Sequence, residues 1–167
     1  MHRVFKNEIK IEKGFPDKLG ATIDKNGCNF AIYSENAGSV SLLLFNKKVK
    51  EDSTIIIPFN NNTNKTGNIW HIYIYGIKEG QLYGYSINGS DSFKKCKAHK
   101  FNPNKLLIDP YSKAVTLSCN WKLSNSYGYD INSVEGLHSL SEEKNYDLAI
   151  KSIVVDENDF NWGGDKP

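Results

Sequence analysis

Ile69-Trp70-His71-Ile72-Tyr73-Ile74-Tyr75, a turn signal at Lys78-Glu79-Gly80, then Leu82-Tyr83-Gly84-Tyr85-Ser86-Ile87 set the architecture of this chain. The first run carries a β-branched or aromatic residue at every position but His71, and the second resumes the pattern straight after the glycine. Upstream, Cys28-Asn29-Phe30-Ala31-Ile32-Tyr33 alternates in apolar character. Val40 to Phe45 is a stronger apolar run that ends in a lysine-rich tip. Thr54 to Phe59 is β-branched and apolar, with Pro58 marking an edge position. Leu19 to Ile23 supplies a first strand, ended by Asp24-Lys25-Asn26-Gly27. Strands spaced by roughly 10–15 residues with turn residues in each gap predict an antiparallel sandwich rather than βαβ units. Phe59 to Asn68 is too polar to bury and is expected to be a mobile loop.

After about Leu117 the character changes. Ser124 to Ser139 is mixed and contains glycine. Leu140 to Ile150 has room for a helical turn starting at Ser141-Glu142-Glu143, and Ile153-Val154-Val155 reads as a short strand before an acidic, tryptophan-containing tail. This part is expected to be a linker that needs another surface to pack on.

The 167 residues suit one domain plus a connecting segment, and 39% hydrophobic content is enough for a core. A net charge of +2 leaves no footprint for nucleic acid. Cys28, Cys96 and Cys119 are odd in number and form no CxxC pair, so neither a zinc site nor a disulfide framework is indicated. The N-terminus lacks a secretory apolar core, and no run of ~18 apolar residues exists to cross a membrane. A cytoplasmic location is expected. The histidines are scattered, and no GxSxG, phosphate loop or Cys/His pairing is present. The carboxylates of Asp156-Glu157-Asn158-Asp159 read as solvated charge. No catalytic residue, metal ligand or cofactor is therefore assigned.

Three stretches carry a resemblance. Pro16 to Thr22 continuing into Gly27–Ala37 is the first. Trp70-His71 with Gly80-Gln81-Leu82-Tyr83-Gly84-Tyr85 and Gly89 is the second. The third and most specific is Phe101-Asn102-Pro103-Asn104-Lys105-Leu106-Leu107-Ile108-Asp109-Pro110-Tyr111-Ser112-Lys113-Ala114. Together they resemble the N-terminal module of glycogen-debranching enzymes and isoamylases, carbohydrate-binding module family 48 of the α-amylase superfamily. The likeness covers about residues 13–118, and Val154 to Trp162 is similar to the segment leading into the catalytic barrel. Ser86 and Lys100 stand where that family usually has arginine.

The resemblance implies an all-β, immunoglobulin-like antiparallel β-sandwich with an irregular C-terminal connector. The expected layout is a leader over 1–12, the sandwich over 13–95, a junction strap over 96–118, and a connector over 119–167 toward a catalytic (β/α)8 barrel. Such a barrel needs ~250 residues and is not in this chain. The expected role is a non-catalytic module of an α-1,6-glucosidase, packed on that barrel as its partner and able to touch glycogen or another α-glucan. Phe101, Asn102, Pro103, Asn104, Lys105, Leu106, Leu107, Asp109, Pro110, Tyr111 and Trp162 are the candidate barrel interface.

Trp70, Tyr83 and Tyr85 are the candidate glucan contacts, since flat rings suit pyranose C–H groups. Tyr83 and Tyr85 share a strand face, and the competing reading for all three is core packing. Glycogen-binding relatives carry tryptophans in the loop after the Val40–Phe45 strand. Here Asn46 to Asp52 holds no aromatic residue, which argues against strong autonomous binding. Two other readings remain: a stand-alone glycogen-targeting module, and a structural immunoglobulin-like interaction domain without a sugar ligand.

Overall fold

The computed structural model describes residues 9–46, 54–89, 100–117, 126–157 and 163. Trp121, Trp162, Cys96, Cys119 and nearly all of the loop from Asn46 to Asp52 lie outside them. Among the described residues ten strands run in chain order: β1 (Ile11–Glu12), β2 (Gly20–Ile23), β3 (Gly27–Tyr33), β4 (Ala37–Phe45), β5 (Ile55–Pro58), β6 (Lys65–Thr66), β7 (Ile69–Tyr75), β8 (Leu82–Gly89), β9 (Ala114–Val115) and β10 (Ser152–Ile153). The first sheet has the order β1-β7-β3-β2, with β6 also on β7, and the second has the order β5-β4-β8-β10-β9. Every pairing is antiparallel. The chain is an all-β sandwich, and Pro58 sits on an edge strand as its missing donor requires.

Alternation along the strands builds the core. Cys28, Phe30 and Ile32 of β3 and Trp70, Ile72 and Ile74 of β7 meet Val40, Leu42, Leu44, Tyr83, Tyr85 and Ile87 from the second sheet. Leu43 and Phe45 point to the opposite face of β4, where they pack with Leu106 in a second cluster. This explains why Leu42 to Phe45 is continuously apolar: both faces of the sheet are covered.

Residues 13–15 lie against part of the outer face of the first sheet, around Asn29 and His71. The Nδ1–H of His71 donates to the Lys13 carbonyl at 2.8 Å, and Asn64 Nδ2 donates to the same oxygen at 3.1 Å. The Asn29 amide clamps Phe15 from both sides, accepting from its N–H at 2.8 Å and donating to its carbonyl at 3.0 Å. His71, which broke the β-forming pattern, is fully buried and forms part of this seam.

Three expectations are corrected. Residues 59–68 are an ordered turn: Asn60 N–H donates to Asn64 Oδ1 at 3.0 Å, Asn64 N–H returns to the Asn60 carbonyl at 2.7 Å, and Asn64 is buried. Asparagine side chains do there what strand partners do elsewhere. Residues 140–150 hold no α-helix but a single turn, closed by the Ala149 N–H on the Asn145 carbonyl at 2.9 Å, four residues later than the start expected at Ser141, and the nearest helical element is a short 3-10 turn at Gly136–His138. The sheet also does not end near residue 95. β10 pairs with β8 through Ser152↔Tyr83, and Val154 is fully buried in the main core.

Gly84 lies where the strap crosses β8. A Cβ added there would stand 2.7 Å from Leu106 Cδ1 and 3.0 Å from the Leu107 carbonyl oxygen. Overpacking of this kind costs about 1–3 kcal/mol, and emptying the facing position with Leu106→Ala costs about 2–5 kcal/mol. We expect Gly84→Ala plus Leu106→Ala to destabilise less than the sum of the single changes, because the second makes room for the first. Urea midpoints of the four proteins test this, and strict additivity would show that the contact is absent.

Candidate functional site

Alternation predicted that Tyr83 and Tyr85 share a face, and they do, but it is the inner one. Both rings are fully buried, as is Trp70. Tyr83 packs edge-on against Phe30 at 5.0 Å, and Tyr85 against Phe59 at 6.5 Å. Trp70 donates its indole N–H to the Ser34 carbonyl at 3.1 Å while Lys65 caps its ring at 4.4 Å. No ring face is open to a sugar, so the proposed glucan contact at these three residues is replaced by core packing. The outer position between the tyrosines is Gly84, where the strap lies down.

The strap is the most organised polar feature of the chain. Leu107 forms an antiparallel bridge with Tyr85: Tyr85 N–H donates to its carbonyl at 2.9 Å, and its own N–H donates to the Tyr85 carbonyl at 2.8 Å. Asp109 is almost fully buried. Its carboxylate accepts from the Tyr83 hydroxyl at 2.8 Å and the Tyr111 N–H at 2.9 Å, and its own N–H donates to Ser152 Oγ at 3.0 Å. Burial raises the Asp109 pKa above the ordinary carboxylate value, and the hydrogen bonds from Tyr111 and Tyr83 oppose that rise. Burial likewise pushes up the phenols of Tyr83 and Tyr85. The Tyr85 hydroxyl is buried without a hydrogen-bond partner.

At its start the strap binds the connector through side chains. Asn102 Nδ2 donates to the carbonyls of Gly128 at 2.7 Å and Ser141 at 2.8 Å. Lys105 Nζ donates to the Glu143 carbonyl at 2.8 Å, and burial lowers its pKa. Ser86, standing where arginine is usual in the resembled family, donates to the Pro103 carbonyl at 2.7 Å. At the far end, Tyr111 backs onto Gly20, where a Cβ would meet its Cβ at 3.1 Å.

The residues put forward as an interface therefore divide. Asn102, Lys105, Leu106 and Asp109 face inward, and Phe101, Pro103 and Asn104 are half-buried. Leu107 (40% exposed), Pro110 and Tyr111 (48%) face outward, joined by Ile108, which the sequence reading had not singled out. Trp162 lies outside the described residues. Asn145, whose Oδ1 accepts from the Leu106 N–H at 2.7 Å, and Ser152 were also missed, since nothing local in the sequence links them to residues some forty positions earlier.

Among the described residues no cluster of His, Cys, Asp or Glu could hold a metal ion, and no helix is long and apolar enough to cross a membrane. The Cys28 thiol is pushed up to about 12, first by burial, which leaves it protonated and inert.

A family model described as carbohydrate-binding module 48 (isoamylase N-terminal domain) matches residues 18–112. The chain is 36% identical over 157 residues to a glycogen debranching enzyme of Yersinia pestis bv. Antiqua, a match covering 94% of this chain and 21% of that protein. The chain thus spans about a fifth of the length of the curated relatives it matches. Among solved structures, the catalytic module of the glycogen-degrading pneumococcal virulence factor SpuA superposes with a TM-score of 0.54 at 17% identity, covering 86% of this chain and 17% of the other. A pullulanase from Bacillus acidopullulyticus gives 0.51 at 18% identity, covering 89% and 13%. At these identities the two structures speak for the fold.

The Asp109 geometry yields a test with a defined sign. A carboxyl whose folded pKa lies above its unfolded value binds its proton more tightly in the folded chain. Stability through this group therefore rises as pH falls from about 7 toward the ordinary carboxylate value near 4. We expect the wild type to gain on Asp109→Asn over that interval, measured by urea denaturation at both ends. A wild type that instead loses ground on acidification would contradict the burial. Asp109→Leu should cost about 1–3 kcal/mol near pH 7 by orphaning the Tyr83 hydroxyl and the Tyr111 N–H, and more as the pH falls.

Proposed function

The chain belongs to carbohydrate-binding module family 48, the isoamylase N-terminal domains, and from that premise we propose that it is the non-catalytic module of a glycogen-debranching enzyme that cleaves α-1,6 branch points. In this reading it sits on the enzyme's catalytic (β/α)8 barrel and forms one wall of the groove that receives the glucan. Its location would be the cytoplasm, beside stored glycogen.

The observation that carries this reading is the mounting of the strap. Asp109 and Leu106 commit their side chains inward, Leu107 its backbone, and together they hold Leu107, Ile108, Pro110 and Tyr111 outward. A sandwich that worked alone would have little use for a rigid apolar face held out by a buried carboxylate. Covering the exposed parts of Leu107, Ile108 and Tyr111 is worth about 1 kcal/mol each. A face of that size suits a permanent neighbour within one chain better than a passing ligand. Burial of Trp70, Tyr83 and Tyr85 also favours a packing role over autonomous sugar capture.

The test uses the full-length protein from its native cell. We expect it to release linear chains from branched glucan, and Leu107→Asp with Tyr111→Asp to lower that activity at least tenfold. The 167-residue chain alone should migrate unretarded through a glycogen-containing gel. Strong retardation would favour a stand-alone glycogen-targeting module. A native product no longer than this chain would remove the debranching enzyme from the account.

A further inference from the structure

We infer that residues 131–140 form a second docking ridge, built for the catalytic domain of the same parent protein and separate from the strap; this rests on the reading above. Along this segment Ile131, Val134, Leu137 and Leu140 recur at every third position and are exposed, interleaved with exposed Asn132, Glu135 and His138. Ser139 and Ser141 are buried, whereas Ile131 is half-exposed, Leu137 is 59% exposed and Val134 is fully exposed.

What fixes this segment in place is hydrogen bonding rather than burial of its own apolar side chains. Lys100 Nζ donates to the Leu137 carbonyl at 2.6 Å, Asn102 reaches Gly128 and Ser141, and Lys105 reaches Glu143. Within the segment, Ser139 Oγ accepts from Asp130 N–H at 3.0 Å and donates back toward the Asp130 carbonyl at 3.1 Å. The backbone is therefore set without Ile131, Val134 or Leu137, and their apolar surface remains available to another body. Contiguous exposed apolar residues framed by polar ones mark interaction surfaces.

Three observations identify the occupant. The debranching enzymes that this chain matches extend well beyond the matched region, which is 21% of their length. Lys100 ties the ridge itself to the strap, and Asn102 and Lys105 tie its flanks at Gly128, Ser141 and Glu143, so a body seated on one is within reach of the other. Ile131 and Leu140 of the ridge also line a cleft of about 660 Å3 that carries Asp130, Glu135, Glu142 and Glu143 among neutral residues. An acidic rim would repel itself in a two-fold pairing of this chain but attract a basic surface. The partner is thus a domain with an apolar patch edged by lysine or arginine.

The experiment compares the full-length protein with its Val134→Asp, Leu137→Asp form by limited proteolysis and thermal melting. The proposal expects cleavage between module and catalytic domain to speed up at least tenfold, and a single melting transition to split in two. The same pair of substitutions in the 167-residue chain should leave its melting unchanged. Unaltered cleavage in the full-length form would overturn the ridge, as would loss of stability in the short chain, which would mean that the two side chains pack internally. A short chain that sediments as a dimer and becomes monomeric on substitution would make a second copy the occupant and overturn it too. Activity of the unsubstituted full-length protein on branched glucan reports separately on the debranching reading, so the two can fail independently.

Discussion

Strand β8 needs a partner along the edge that β4 does not cover, and no single strand provides one. The chain meets the need in two pieces: the bridge at Leu107 beside Tyr85, and β10 beside Leu82 and Tyr83. Buried backbone groups cannot be left unpaired without a cost of about 1–3 kcal/mol each. Strap and connector are therefore part of the sandwich, not material added after it. This constraint fixes the course of everything downstream. Leu106 must cross Gly84, Asp109 must come to rest against the Tyr83 hydroxyl, and Val154 must enter the core.

Asp109 illustrates what is gained by spending stability. Burying its carboxylate is unfavourable, as its raised pKa indicates, and an apolar residue would avoid that cost. A leucine there, however, could not hold the Tyr83 hydroxyl and the Tyr111 N–H at once. The carboxylate links an inner core ring to the backbone of an outward-facing residue, so the direction of Pro110 and Tyr111 is set from within the sandwich. Ser152 closes the same node by accepting the Asp109 N–H, which ties the strap to the last strand.

The sequence was most legible where side-chain period and backbone geometry coincide. β3, β7 and β8 announce themselves by alternation or by unbroken runs of β-formers, and the Asp24 to Gly27 turn punctuates them. Alternation says which residues share a face but not which face is inside. For Tyr83 and Tyr85 that depended on Gly84, whose role becomes visible only once Leu106 is placed against it. β9 is two residues long, too short for any period to register; the short strand read at Ile153 to Val155 appears as β10 one residue earlier, but its partners lie far away in sequence. The asparagine turn at 60–64 was hidden for another reason: polar composition normally signals solvent, and here the polar groups satisfy one another. The strap itself was found through its resemblance to a family motif. Its division into inward and outward halves was not legible, because Leu106 and Leu107 are chemically alike and differ only in which side of the bridge they occupy.

That division bears on the proposed packing role. A surface that holds a neighbouring domain in one position must not slide, and apolar packing alone permits sliding. In this chain the outward residues are mounted on directional bonds: the backbone bridge at Leu107, the carboxylate at Asp109, and the asparagine and lysine caps under residues 128–143. Hydrogen bonds fix position because they weaken steeply with angle, whereas apolar contact supplies attraction with little preference for orientation. Keeping polar bonds inside and apolar surface outside assigns each kind of force to the task it performs better. It also explains why residues 128–143, which read as a linker in the sequence, are held onto the sandwich by hydrogen bonds.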